Sequence, residues 1–143
     1  MPKNRDDDSR HDDGSVKVAV AIVLAGDKVL VGKRSADADL GGFDEFPGGK
    51  IEEHESPESA AMRECLEETR MLVTVDRRLD LVEHQYDHAL VLIHFFLCSL
   101  ADAAADSCGS PQPPFRWVPI AELAECEFPP ANDAVIAALI RDH

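Results

Sequence analysis

The stretch from Gly49 to Arg70 constrains this chain more than any other. It opens from the turn-forming run Glu45-Phe46-Pro47-Gly48-Gly49-Lys50 and continues into a helix whose start is written in the sequence. Ser56 is placed to cap that helix, and Pro57 takes the favoured first helical position. At roughly 100° per residue, Ala61, Met62, Cys65, Leu66 and Thr69 share one arc, which predicts the buried side. Glu64, Glu67 and Glu68 fall on the opposite arc as neighbours. Like charges at that spacing cost a helix about 0.2–0.5 kcal/mol per pair. Their place in the C-terminal half adds an unfavourable interaction with the helix dipole. A hard divalent cation offsets both penalties, and clustered oxygen ligands with room for water and phosphates suit Mg²⁺, or Mn²⁺ in its place. A Glu-rich helix face by itself is more often solvated surface, so the residues around it decide.

The flanking sequence predicts one layered domain over residues 16–143. Val16–Leu24 is β-rich, Gly26-Asp27 is a turn and Lys28–Lys33 is its hairpin partner. After the helix come strand-like stretches at Leu72–Val75, Leu79–Tyr86 and Ala89–Leu100, then a short strand at Phe115–Pro119 and an amphipathic helix at Asp133–Arg141. Strands dominate and helices are interspersed, which predicts an α+β, mixed-sheet domain. Residues 1–15 carry Asp6-Asp7-Asp8 and Asp12-Asp13 with almost no apolar side chains and are expected to be a disordered acidic tail. His11, flanked by aspartate, is expected to be solvated there.

Charge and composition exclude several functions. Asp and Glu outnumber Lys and Arg 28 to 14, a net charge of −14 that repels duplex nucleic acid. A small anionic substrate is compatible with that field only if bound cations invert it locally. The apolar run Val18–Ala25 is too short to span a bilayer, and residues 1–15 lack the apolar core of a signal peptide. Cys65, Cys98, Cys108 and Cys126 form no CxxC pair and read as reduced thiols of a cytoplasmic protein, Cys65 and Cys98 buried.

Gly49, five residues, Glu55, seven residues, then Arg63-Glu64-Cys65-Leu66-Glu67-Glu68 resembles the Nudix box. That resemblance implies the Nudix fold, a mixed β-sheet sandwiched between α-helices, with the box as a metal-binding loop–helix–loop. It also implies that Glu64, Glu67 and Glu68 ligate the metal with the backbone carbonyl of Gly48, and that Glu55 and Arg63 form an ion pair tying loop to helix. Two positions depart from the pattern. Cys65 replaces an aliphatic residue, a small change because Cys packs as a hydrophobe. Arg70 replaces the final glycine, so it either accepts a left-handed conformation or the helix ends differently.

Lys33-Arg34-Ser35-Ala36-Asp37-Ala38-Asp39, Glu45–Lys50 and Phe128-Pro129-Pro130-Ala131-Asn132 extend the resemblance to the MutT group, which hydrolyses oxidised guanine nucleotides such as 8-oxo-dGTP. It implies that Arg34 and Asn132 contact the nucleotide and that Phe46 lines the base pocket, with Tyr86 near an aromatic position of that pocket. Oxidation of the purine turns a ring nitrogen from acceptor to donor, so one buried acceptor near Phe46 would reject unoxidised guanine. Asn132 also fits a bland role as N-cap of the last helix. The MutT group carries a further carboxylate before its last strand. Cys108–Phe115 has none and Asp106 is the nearest, which leaves Glu67 as the candidate general base.

The resulting expectation is a metal-dependent nucleoside triphosphate pyrophosphohydrolase, monomeric or homodimeric, acting on a small nucleotide. Two rivals share the scaffold: a CTP or modified-dCTP pyrophosphatase, and a non-catalytic nucleotide sensor. The sensor is disfavoured because all the box carboxylates are kept. A simple Ca²⁺-binding protein is disfavoured because no loop has alternating Asp or Asn ligands.

Overall fold

The computed structural model of the protein describes residues 15–36, 41–87, 89–101 and 110–143. Most of the acidic tail, with His11, lies outside these residues, as do Asp37, Asp39, Asp106 and Cys108. Ser15, assigned to the tail by its polarity, is fully buried at the foot of the first strand.

Strand β1 (Val16–Ala25) organises the sheet. On one side it pairs in parallel with β6 (Leu90–Leu100), from Val16↔Val91 to Val23↔Cys98. Its other side is shared. Val18–Val20 pair with β4 (Gly48–Lys50), and Leu24 and Ala25 pair with β2 (Lys28–Lys33). β2 also pairs with β3 (Asp44–Glu45) and β7 (Arg116–Pro119), and β5 (Val73–Gln85) lies beyond β6. All pairings except β1–β6 are antiparallel, so the sheet is mixed, as expected.

Both faces of β1 are covered, which is why its sequence is almost continuously apolar. Ala19, Ala21 and Val23 face a layer formed with Ala60, Ala61 and Cys65 of α1 (Pro57–Thr69). Ile22 faces the opposite layer, where Val135 and Leu139 of α2 (Asp133–Asp142) pack with Phe46 and Phe95. The sheet is thus sandwiched between helices.

Two elements differ from the sequence reading. In α1 the buried stripe is Ala60, Ala61, Cys65 and Thr69, whereas Leu66 is 43% exposed. The helix therefore seats against the sheet on small side chains, turned slightly from the arc the larger ones suggest. The stretches expected at Leu72–Val75 and Leu79–Tyr86 form one strand, β5. Register shifts between Val75 and Arg77, and between Arg78 and Asp80, bulge its middle. Asp76-Arg77-Arg78 reads as a break in sequence because bulged residues do not follow the period-two pattern.

Candidate active site

The helix start is built as the sequence requires. Ser56 is extended, with ψ of 156°, and its hydroxyl accepts the Ser59 N–H at 3.1 Å. Arg70 closes the helix in the left-handed conformation, φ 66° and ψ 14°, and its N–H donates to the Leu66 carbonyl at 3.0 Å. The box glycine's geometry is therefore kept by a residue with a Cβ.

Arg63 is the hub of the carboxylate side. Its Nε donates to Glu55 Oε2 at 2.7 Å and its Nη2 to Glu55 Oε1 at 3.0 Å, a bidentate pair. Nη2 also reaches the Lys50 carbonyl at 3.1 Å, which fastens the loop to the helix. Nη1 contacts Glu64 at 3.1 Å and Glu67 at 3.3 Å. The Arg63 hydrogen bonds, with help from the Glu52 N–H, outweigh burial and hold the Glu55 carboxyl below its ordinary range. Glu68 is separate: its Oε1 accepts the Gly48 N–H at 3.1 Å. Burial is the main cause that pushes the Glu68 carboxyl up to about 7; the Gly48 N–H opposes this, and the charges of Glu64, Glu45 and Glu67 add to it.

The two glycines permit this closeness. A Cβ on Gly49 would run into the Glu64 carboxylate, and one on Gly48 would press on the Ala19 carbonyl. Among the described residues, no three acidic, His or Cys side chains are drawn tightly enough to enclose an ion. Instead, the Arg63 guanidinium compensates Glu64 and Glu67. The donor set still fits a hard divalent cation, because it offers carboxylate oxygens beside a loop stripped of side chains.

The other half of the site follows directly along Glu45-Phe46-Pro47-Gly48. Arg34 Nη1 meets Glu45 Oε1 at 3.2 Å. Burial raises the Glu45 carboxyl, and the Arg34 charge opposes the rise. Phe46 is buried and stacks on Phe128, with ring centroids 4.5 Å apart and planes at 22°. Asn132 ends a 3-10 turn (Pro130–Asn132) that runs straight into α2. Its side chain makes no capping bond, contrary to the bland reading. The 3-10 turn already supplies the helical approach, and Nδ2 instead donates to the Pro129 carbonyl at 3.0 Å. Tyr86 stands apart: its ring contact among the described residues is with His84, at 4.5 Å.

Glu45 and Phe128 were not singled out individually from sequence. Each adjoins or belongs to a quoted motif, and position on the shared face would have identified them. The described part of the loop before β7 contains no carboxylate and is anchored by the Gln112 N–H on the Thr69 carbonyl at 2.9 Å.

A two-sided core sheet, with a carboxylate-bearing helix locked to a glycine loop, defines a class of phosphate-handling hydrolases. A family model described as a NUDIX domain matches residues 18–138, and the chain belongs to that family as a Nudix hydrolase. It is similar to the 8-oxo-dGTP diphosphatase of Escherichia coli (strain K12), at 32% identity over 88% of this chain and 97% of that protein. It is also similar to the CTP pyrophosphohydrolase of the same organism, at 27% identity over 87% and 91% of the two chains. Among solved structures, the E. coli ORF135 protein superposes with a TM-score of 0.71 at 25% identity, covering 89% of each chain. MutT from Aliivibrio salmonicida and Vibrio cholerae gives a TM-score of 0.65 at 30% identity, covering 90% of this chain and 99% of that one.

Proposed function

We propose that the protein hydrolyses oxidised purine nucleoside triphosphates, 8-oxo-dGTP among them, to the monophosphate and pyrophosphate, using Mg²⁺ with Mn²⁺ as a substitute. The observation that carries this reading is the run from Glu45 to Gly49. Phe46 of this run stacks on Phe128, and two residues on the Gly48 N–H donates to the Glu68 carboxylate, so one short segment touches both an aromatic pair and a box carboxylate. Similarity to the E. coli 8-oxo-dGTP diphosphatase over nearly its whole length supports it.

In this reading Glu64, Glu67, Glu68 and the Gly48 carbonyl hold the cation. When bound, it neutralises charge developing on the phosphates and makes an attacking water more acidic. Arg63, fixed by Glu55, holds Glu64 and Glu67 in place. Glu67, whose side chain is 59% exposed, is the group able to take a proton from water. Arg34, oriented by Glu45, contacts the nucleotide, and Tyr86, whose ring lies against His84, is assigned to it by the resemblance alone. Phe46 packs against the base, and the Asn132 amide reads its edge. The described cysteines, Cys65, Cys98 and Cys126, are all free thiols, which supports a cytoplasmic protein. The substrate is a small nucleotide, and the acting unit is a monomer or homodimer.

Product analysis across normal and oxidised nucleoside triphosphates, with Mg²⁺ and with chelator, tests the reading. Expected are monophosphate and pyrophosphate, a preference for 8-oxo-dGTP, and loss of turnover on chelation. Preferential cleavage of CTP, the activity named for the second E. coli relative, would overturn the purine assignment. Retention of turnover in both Glu64→Gln and Glu68→Gln would overturn the metal site.

A further inference from the structure

Asp44 is a buried carboxylate that the hydrolytic chemistry above does not use, 4% exposed although it lies in a two-residue strand. Its contacts reach three other parts of the fold. Its backbone N–H donates to the Glu127 carbonyl at 2.8 Å, and its Oδ2 accepts the Glu127 N–H at 2.8 Å. One residue thus engages both backbone groups of Glu127, its side chain standing where a longer strand would offer a carbonyl. Its Oδ1 accepts from Arg116 Nη2 at 3.2 Å, and Arg116 Nη1 donates to the Val31 carbonyl of β2 at 3.4 Å. Lys33 Nζ lies 3.4 Å from the same Oδ1.

The need for a side-chain acceptor follows from the sequence. The segment around Glu127 leads into Pro129 and Pro130, which have no N–H and cannot extend a ladder. The Glu127 N–H is part-buried, and Asp44 Oδ2 is the acceptor that meets it. Asp44 and Phe46, one on each side of Glu45, are both buried. Phe128 directly follows Glu127, and the Phe46–Phe128 stack is the product of this arrangement. The Pro129 carbonyl one residue further on holds Asn132.

We propose that Asp44 is a positioning residue for base recognition. It clamps β3 to the segment carrying Phe128 and Asn132, and so sets the distance between the aromatic wall and the amide that reads the base. The proposal rests on the reading that those residues take the base. It predicts that loss of the clamp affects base-dependent binding and spares the phosphate chemistry.

The test compares wild type with Asp44→Leu, which removes every carboxylate contact, and Asp44→Asn, which keeps an acceptor for the Glu127 N–H. Each is assayed on 8-oxo-dGTP and on a base-free deoxyribose triphosphate. In Asp44→Leu the KM for 8-oxo-dGTP should rise about 10-fold or more, with kcat changed less than about threefold. Base-free hydrolysis should be unchanged, and Asp44→Asn should lie between the two. Hydrogen exchange at the Glu127 amide should accelerate, and the Phe46–Phe128 ring contact in NMR spectra should weaken. Equal losses on both substrates, or an unchanged KM in both variants, would overturn the proposal. If Asp44→Leu does not fold, Asp44→Asn and Arg116→Gln are judged by the same split. A wild type that cleaves 8-oxo-dGTP no better than the base-free compound would refute the functional reading instead. The Glu127 exchange and ring contact would still decide the clamp, and unchanged values in the variants would refute it.

Discussion

Arg70 shows how one residue can keep a motif's geometry while breaking its letter. Its φ of 66° is where a side chain is unfavourable and glycine is not. Arg70→Gly should therefore stabilise the fold by about 0.5 kcal/mol, the relieved strain exceeding the entropy gained by the unfolded chain. A denaturant midpoint equal to or below wild type would contradict this. Asp44 provides a second case. Burial raises its carboxyl, but the Glu127 N–H, Arg116 and Lys33 together lower it below the ordinary 3.8. A lowered folded value stabilises the protein above the unfolded value, and that contribution is lost as pH falls through the folded one. The stability gap between wild type and Asp44→Asn should be full at neutral pH and should close below pH 3.8; a gap independent of pH would refute the assignment. At Asn132, Asp is no neutral replacement, because a carboxylate would face the Pro129 carbonyl that Nδ2 now satisfies. Asn132→Ala is the cleaner probe. It should lower kcat/KM for 8-oxo-dGTP about 100-fold and for CTP far less; equal losses would mean that Asn132 does not read the base. The box residues were legible because helical period and fixed spacing mark them. Asp44 was not, since a lone carboxylate beside glycines looks like loop polarity.

Among the elements, those with an uninterrupted pattern were legible; β5, the longest strand, was read as two pieces because its bulges break the pattern. β1 and β6 are long enough to show as β-rich apolar runs, β2 shows as the hairpin partner of β1, and both helices show by their period and start signals. β3 and β4 have two and three residues, too few for any alternation, and they read only as punctuation around Pro47 and the glycines. Yet these fragments join the two halves of the site. α1 carries the carboxylates as a rigid unit, with Glu68 already tied to β4 through Gly48. A cation that binds only the folded arrangement must stabilise it, by about 2.7 kcal/mol at a hundredfold excess over Kd. Mg²⁺ should therefore raise the unfolding midpoint of wild type, and Glu68→Gln should remove most of that rise. An equal rise in both proteins would place the ion elsewhere.

At the scale of the molecule, a layered mixed-sheet domain was anticipated from the order of strands and helices, and a helical layer on each face from the resemblance to the Nudix fold. The exposed edge was not, because edge position depends on pairing and not on local pattern. β5 is the outer strand on the β6 side, and its middle combines two bulges with Asp76, Arg77, Arg78 and Asp80. An unpaired edge is a template for other chains, and bulges and charges deny it a flat run of backbone. The irregular stretch should therefore limit edge-to-edge pairing when the protein is crowded against copies of itself. Replacing Asp76 and Arg78 with Val should convert β5 into a sticky edge that drives concentration-dependent, strand-rich association, visible by light scattering and infrared spectroscopy. A double variant whose size stays constant with concentration would show that colloidal stability is secured elsewhere. If the association occurs, the length of chain that interrupts the alternation of β5 is what keeps this acidic hydrolase dispersed.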